Sequence, residues 1–234
     1  LKRASELGIE VLYGDTDSLF LESLDPQLLG ELVDWSRSSL QMELEVDKNY
    51  RYLALSSRKK NYLGVKPDGS VDIKGLTGKK RHIPEFLSRA FYDMVQILSE
   101  VKSPEEFEDA KRRITELVKG CYLRLRSREY SVEELAFSVM MGRETERYTK
   151  TTPQHVKAAK QLQDRGFEVK SGELIAFVKV IGEPGVKPVQ LAKIEDVDVQ
   201  KYMEYLHSTF EQVLDALGVE FEDLVGVKKL ESFF

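Results

Sequence analysis

The sequence predicts an α+β fold, with short antiparallel strands first and helices dominating afterwards. Three observations carry this. Between Ile9 and Lys74, short runs alternate apolar and polar residues and are separated by turn residues. After Pro84 the apolar positions recur with a period near 3.6. The composition, 41% hydrophobic and 32% charged with 7 Pro and 15 Gly in 234 residues, excludes a low-complexity or wholly disordered chain.

Leu1 to Leu7 reads as the end of a helix stopped by Gly8. Ile9 to Tyr13 then alternates as a strand, Gly14 to Asp17 forms a turn, and Ser18 to Leu21 returns, giving a β-hairpin with carboxylates at its tip. From Pro26 to about Leu40, Leu28, Leu29, Leu32, Val33 and Trp35 mark a helix. A strand-rich block covers Glu43 to Lys74, with Lys66 to Ser70 as a turn between two strands.

One helical stripe follows in Leu87, Ala90, Phe91, Met94, Val95 and Leu98, and Phe107, Ile114 and Leu117 belong to another. A helix from about Pro153 to Arg165 stops at Gly166. Strands near Leu174–Val180 and Val189–Ala192 precede a last helix, whose apolar face holds Tyr202, Tyr205, Leu206, Phe210, Val213, Leu214 and Leu217. The change of character near residue 83 is the expected domain boundary.

No stretch approaches the roughly 20 apolar residues of a membrane span, and no basic-then-apolar leader opens the chain. A soluble, cytoplasmic location is expected. The single cysteine, Cys121, makes neither an internal disulfide nor a multi-cysteine zinc site and reads as a buried small hydrophobe. His82, His155 and His207 show no metal-ligand spacing.

The net charge of −5 argues against a nucleic-acid binder until its distribution is read. Residues 58–82 hold eight cations against Asp68 and Asp72, a local excess of six that leaves the rest of the chain at −11. Such segregation suits a protein that binds phosphate on one face, or one with a solvated basic hairpin.

Asp15 and Asp17 are the chemical centre. On extended backbone, residues i and i+2 face the same side, so both carboxylates can address one ion while Thr16 faces away. Hard cations such as Mg²⁺ take oxygen ligands, and a pair of them can activate a hydroxyl nucleophile and stabilise a departing pyrophosphate. The plainer alternative is an Asx-type turn whose carboxylates satisfy local N–H groups.

Tyr13-Gly14-Asp15-Thr16-Asp17-Ser18 between two apolar strands resembles the third palm motif of family B DNA polymerases. Lys59-Lys60-Asn61-Tyr62 resembles the family's Lys-Lys-x-Tyr motif. Lys74-Gly75-Leu76 with Lys79-Lys80-Arg81 resembles the Arg-Gly-Leu and paired-basic block after it. Tyr148 and Pro153-Gln154-His155-Val156, with Ala158 and Ala159, resemble the Tyr…Pro-His-Val stretch of the thumb. Gly166 to Ile175 resembles the loop and strand beyond.

The resemblance implies a partial palm, an antiparallel sheet with helices, over residues 1–82. It implies a mostly helical thumb over 83–225 and leaves a tail over 226–234. It implies Asp17 as principal metal ligand with Asp15 close by, and a two-metal Mg²⁺ site completed by another chain. Lys59, Lys60 and Tyr62 are then expected along the primer–template duplex near the primer end. Lys79, Lys80 and Arg81 are expected on its phosphates, and Tyr148 and His155 as thumb contacts. Asn61 departs from the usual basic residue, His82 from a common acidic one, and Gln154 separates Pro153 from His155.

The family's other palm aspartate, in Asp-x-x-Ser-Leu-Tyr-Pro, and its fingers helix with Asn-Ser-x-Tyr-Gly do not occur in this sequence, nor does an exonuclease-like Asp-x-Glu segment. The chain is therefore not expected to polymerise alone. It resembles the small subunit of the split family B enzyme of methanogenic archaea. That resemblance implies as partners a large subunit with exonuclease, fingers and the rest of the palm, primer–template DNA and dNTP, in the nucleoid.

In the tail, Leu230 with Phe233 and Phe234 resembles the peptide that binds the sliding clamp, PCNA, with Val227 where the usual Gln stands. Packing of the two Phe on the chain's own thumb is the alternative. The other function open to the sequence is a catalytically silent subunit that grips duplex DNA and tethers the clamp.

Overall fold

Stop signals in the sequence cut the chain into the elements of a computed structural model, which describes residues 1–22, 25–55, 60–75, 82–148, 152–221 and 224. They form two compact units, Leu1–Arg51 and Tyr52–Phe234. The first begins with α1 (Lys2–Glu6), after which Gly8 (φ +72°) turns the chain in a conformation that favours glycine. β1 (Val11–Gly14) and β2 (Leu19–Leu21) are the expected antiparallel hairpin, with a bulge between Val11 and Tyr13. α2 (Pro26–Trp35) starts on Asp25, whose carboxylate accepts the Gln27 N–H at 2.9 Å. Ala4, Ile9 and Leu32 are the buried centre of this unit.

The helix expected to reach Leu40 does so through a wider π turn, Ser36–Leu40, ended by Gln41 at φ +57°. Residues 41–50, expected in a strand-rich block, carry no regular element. Glu43, Glu45 and Asp47 stand on what would be one face of a strand there, and all three are exposed. The alternate positions Met42, Leu44, Val46 and Tyr50 would be the apolar face of that strand, but Met42 and Val46 are exposed, so the run lacks the burial that favours a strand.

The second unit opens with a sheet in the order β3 (Tyr52–Leu55), β4 (Tyr62–Val65), β5 (Val71–Lys74), antiparallel throughout. β4 is central and wholly buried. The turn after it forms as expected: Gly69 lies at φ +84°, and Asp68 Oδ1 accepts from the N–H and hydroxyl of Ser70. Those bonds hold the Asp68 carboxyl below the usual carboxylate range.

α3 (Glu85–Glu100) and α4 (Pro104–Arg126) pack as an antiparallel pair. The expected stripe on α3 is buried except Val95, which is half-buried. On α4 the buried line is Ala110, Ile114, Val118, Cys121 and Leu125, with Phe107 and Leu117 at its edge. The composition change near residue 83 falls inside this unit, because Leu63 and Val65 of the sheet share a core with Phe86 to Leu98.

A second sheet follows in the order β6 (Phe137–Met140), β7 (Leu174–Lys179), β8 (Val186–Pro188). β6 is four residues long, too short for a periodic signal. The strand expected at Val189–Ala192 lies instead at Val186–Pro188, and Val189–Leu191 is a 3₁₀ turn. Pro188 pairs with Phe177 as the last ladder residue. Proline has no N–H to donate and its ring holds φ near −65°, which suits the turn that follows. α5 (Gln154–Gln163) and α6 (Val199–Ala216) complete the unit, and α6 buries the expected apolar face with Tyr205 half-exposed. No helix among the described residues is long and apolar enough to cross a membrane.

Fully buried Ile114 bears on both α3 and α6 through one core, so Ile114→Ala is expected to cost about 2–5 kcal/mol. The exposed Leu123 on the same helix, changed to Ala, is expected to cost under about 0.5 kcal/mol. Denaturant melts of the two variants check the difference.

Candidate metal hairpin and nucleic-acid interface

The hairpin closes tightly. Gly14 pairs with Leu19, and the Asp15 N–H donates to the Ser18 carbonyl at 2.9 Å, leaving Thr16 and Asp17 as the tip. The strand ends at Gly14, so Asp15 and Asp17 stand on a bend and not on the extended backbone that the i, i+2 argument assumed. Their environments differ. Asp15 is half-buried, and its Oδ1 accepts the Thr16 N–H at 2.8 Å and the Thr16 hydroxyl at 3.3 Å, the local turn bonding of the plainer reading. Asp17 is exposed, and its carboxylate has no ion pair or hydrogen bond among the described residues. Below the tip, Tyr13 packs on Phe20 (5.5 Å) and Phe20 stacks on Tyr50 (6.2 Å). These rings stiffen the base of the hairpin.

Two exposed-side carboxylates are hard oxygen donors of the kind Mg²⁺ prefers, so this donor set fits part of a Mg²⁺ site. No group of three or more His, Cys, Asp or Glu side chains able to hold a metal occurs among the described residues.

In the second unit, β3 ends at Leu55, β4 begins at Tyr62 and β5 ends at Lys74, all at one end of the sheet. The register Tyr62↔Lys74 brings the Lys60-Asn61-Tyr62 and Lys74-Gly75 motifs side by side. Lys60 is exposed and adopts φ +63°; Tyr62 is buried, with the Lys74 ammonium 6.0 Å from its ring centroid. Gly75 lies at φ +75° with Asn61 pressed against it: a Cβ there would meet Asn61 Oδ1 at 1.8 Å and the Lys60 carbonyl oxygen at 2.4 Å. Lys59, Lys79, Lys80 and Arg81 lie outside the described residues.

Tyr148 and His155 do come together. Tyr148 follows a 3₁₀ turn and His155 sits in the first turn of α5, with the rings 6.1 Å apart and perpendicular. Burial alone draws His155 below the usual imidazole range, so at neutral pH it is uncharged. The guanidinium of Arg143 lies 4.6 Å from the Tyr148 ring centroid. Sequence reasoning missed Arg143, which no periodicity or spacing marks.

Gln154, read as an interruption of the thumb motif, has a partner: Lys179 Nζ donates to its side-chain oxygen. Lys179 is 6% exposed and lies over the rings of Phe137 and Phe177. Burial, with Lys201 nearby, draws its ammonium below the usual lysine range. His82 also has a structural tie, since its Nδ1–H donates to the Ser138 carbonyl at 3.1 Å. Cys121 is buried, its thiol raised by burial. The tail residues Leu230, Phe233 and Phe234 lie outside the described residues.

The sequence pattern of DNA polymerase family B matches residues 2–217. The chain is 45% identical over its whole length to "DNA polymerase 1" of Saccharolobus solfataricus and covers 26% of that protein. It is 43% identical to "DNA polymerase 1" of Sulfolobus acidocaldarius, again over the whole chain and 27% of the relative. The structure of the family B DNA polymerase from Pyrobaculum calidifontis matches 98% of this chain and 28% of its own, with a TM-score of 0.62 and 28% identity. The chain thus spans about a quarter of the length of the curated relatives it matches.

A proton titration of the His155 ring by NMR is expected to give a midpoint below 6.5, the ordinary value. Because the folded value is lowered, the neutral ring's contribution to stability is present above pH 6.5 and is lost as pH falls through the folded midpoint. Cys121 is expected to resist thiol reagents in the native protein and to react only on unfolding, as a titration with and without denaturant would show.

Proposed function

This chain belongs to DNA polymerase family B, and we propose that it is the small subunit of a two-chain DNA-directed DNA polymerase. In this reading it contributes the Asp-Thr-Asp hairpin of the palm, the primer–template contacts and the thumb. A large subunit brings the exonuclease, the fingers and the other palm aspartate. The observation that carries the reading is the hairpin itself: six consecutive motif residues folded so that Asp17 stands exposed at the tip. Two further features support a partner. Among the described residues β1 pairs with β2 alone; Val11 and Leu21 pack on the core of Ala4 and Leu32, and the outer edge of β1 offers N–H and C=O groups that a partner's strand could pair. Beside β1 lies an open depression of about 450 Å³ lined by Leu1, Lys2, Ser5, Ile9, Glu10 and Val11, where apolar palm surface of the partner would seat.

The proposed reaction is attack of a primer 3′-hydroxyl on the α-phosphate of a dNTP, with pyrophosphate leaving. Asp17, with Asp15 close by, would hold Mg²⁺ together with a carboxylate of the large subunit. When bound, Mg²⁺ supplies positive charge that favours the attacking alkoxide and the leaving pyrophosphate. Lys59, Lys60, Lys79, Lys80 and Arg81 would hold the duplex by its phosphates, a sequence-independent attraction suited to a polymerase. Tyr62 would back the primer end from inside the sheet. Tyr148 and neutral His155 would meet the backbone as hydrogen-bonding groups and not as charges. Leu230, Phe233 and Phe234 would plug into PCNA at the nucleoid.

Primer extension with Mg²⁺ and dNTPs tests the reading, comparing this chain alone with the chain plus a large subunit. Activity is expected only in the mixture. Asp17→Ala is expected to lower its rate by on the order of 10³-fold while duplex affinity stays within about twofold. Equal activity with and without the Asp17 carboxylate would sink the catalytic reading and leave a subunit that grips DNA and tethers the clamp.

A further inference from the structure

Where β4 and β5 leave their ladder, the register that pairs Tyr62 with Lys74 continues to Asn61 and Gly75, and Gly75 and Lys60, the residue before Asn61, both adopt left-handed backbone. For glycine that conformation is free of the Cβ clash that other residues meet. For lysine it is unfavourable, and glycine at position 60 would fit the backbone better. The strained conformation persists because the surroundings enforce it. The Asn61 side chain fills the space beside Gly75 that a Cβ would take, and the Lys60 carbonyl oxygen lies next to it. Any side chain at 75 would displace both.

We infer that Gly75 and Asn61 are positioning residues that hold Lys60 in its left-handed turn, so that its ammonium meets a phosphate of duplex nucleic acid at the open end of the β3–β4–β5 sheet. The inference rests on the nucleic-acid reading above and gives Asn61 a role different from the basic residue it replaces. Asn61 braces the turn, and the phosphate contact belongs to its neighbour. The bracing has an electrostatic purpose as well. Cations on adjacent chain segments repel one another, so a surface that gathers them needs a backbone that cannot relax away.

Binding of the 234-residue chain to a primer–template duplex, measured over a range of salt, tests this. Lys60→Gly is expected to weaken binding about tenfold and to flatten the plot of log affinity against log salt by about 0.9, one phosphate contact. Its thermal midpoint is expected not to fall, since the left-handed turn is now occupied by glycine. Gly75→Ala is expected to flatten the slope by the same amount, with a lower thermal midpoint. Asn61→Ala, which adds no atom and leaves the backbone free to fold, is expected to move affinity and slope in the same direction.

In the Lys60→Gly background, Gly75→Ala is expected to change stability but not binding, because its effect on DNA passes through Lys60. An unchanged slope in both Asn61→Ala and Gly75→Ala would overturn the inference. So would a loss from Gly75→Ala that is equal in the two backgrounds. If the unsubstituted chain shows no salt-dependent duplex binding, the nucleic-acid reading itself fails; binding that ignores Gly75 and Asn61 leaves that reading intact and removes only this one.

Discussion

Residue 179 ties three elements of the second unit together, and much of that unit's arrangement depends on it. Its backbone N–H donates to the hydroxyl of Tyr202 on α6 at 3.0 Å, and its ammonium donates to Gln154 at the start of α5. Tyr202 is fully buried and touches Phe86 of α3 and Phe137 of β6. A buried phenol without a partner for its oxygen would be costly, so the bond to β7 is what allows so large an aromatic at the meeting of α3, α6 and the sheet. Burial raises the Tyr202 phenol well above its usual range, which keeps it neutral. The Lys179 ammonium is equally constrained. Two aromatic faces and one amide oxygen replace the water it has lost.

Through Gln154 that arrangement reaches the surface. Gln154 begins α5, His155 follows it, and Tyr148 and Arg143 stack outward from His155 in sequence. The extra residue between Pro153 and His155 is thus the link between a buried cation and a surface cluster. The helix beneath is fixed from its other side by Val156, Ala158, Ala159 and Leu162, all buried. Small residues at 158 and 159 let α5 lie close to β7 and β8, which Gln161 secures by donating to the Val186 carbonyl at 2.9 Å.

The residues singled out by the sequence lie in different units. The carboxylate hairpin belongs to Leu1–Arg51, and the basic motifs and aromatic cluster to Tyr52–Phe234. Each is built on rigid backbone, the hairpin by a two-residue tip and ring packing, the basic motif by a close approach at glycine. The first unit has a small buried core, and among the described residues its two strands pair only with each other.

The sequence by itself determined the α+β class, the hairpin with Asp15 and Asp17 at its tip, the helical stripes of residues 87–98 and 107–117, and the boundaries set by Gly8, Gly69 and Gly166. Those are local facts: a glycine in left-handed backbone, a proline at a helix start and a 3.6-residue period each act within one turn. Tertiary structure decided the rest. The strand placed at 189–192 moved to 186–188 because its ladder partner is set by β7, and β6 became visible only through that pairing. Spacing placed Asp15 and Asp17 where both could face one ion, yet the bend gives Asp15 a turn to cap and leaves Asp17 in the open. Asn61 and Gln154 looked like defects in their motifs because their partners, Gly75 and Lys179, are 14 and 25 residues away in the chain and adjacent only in space.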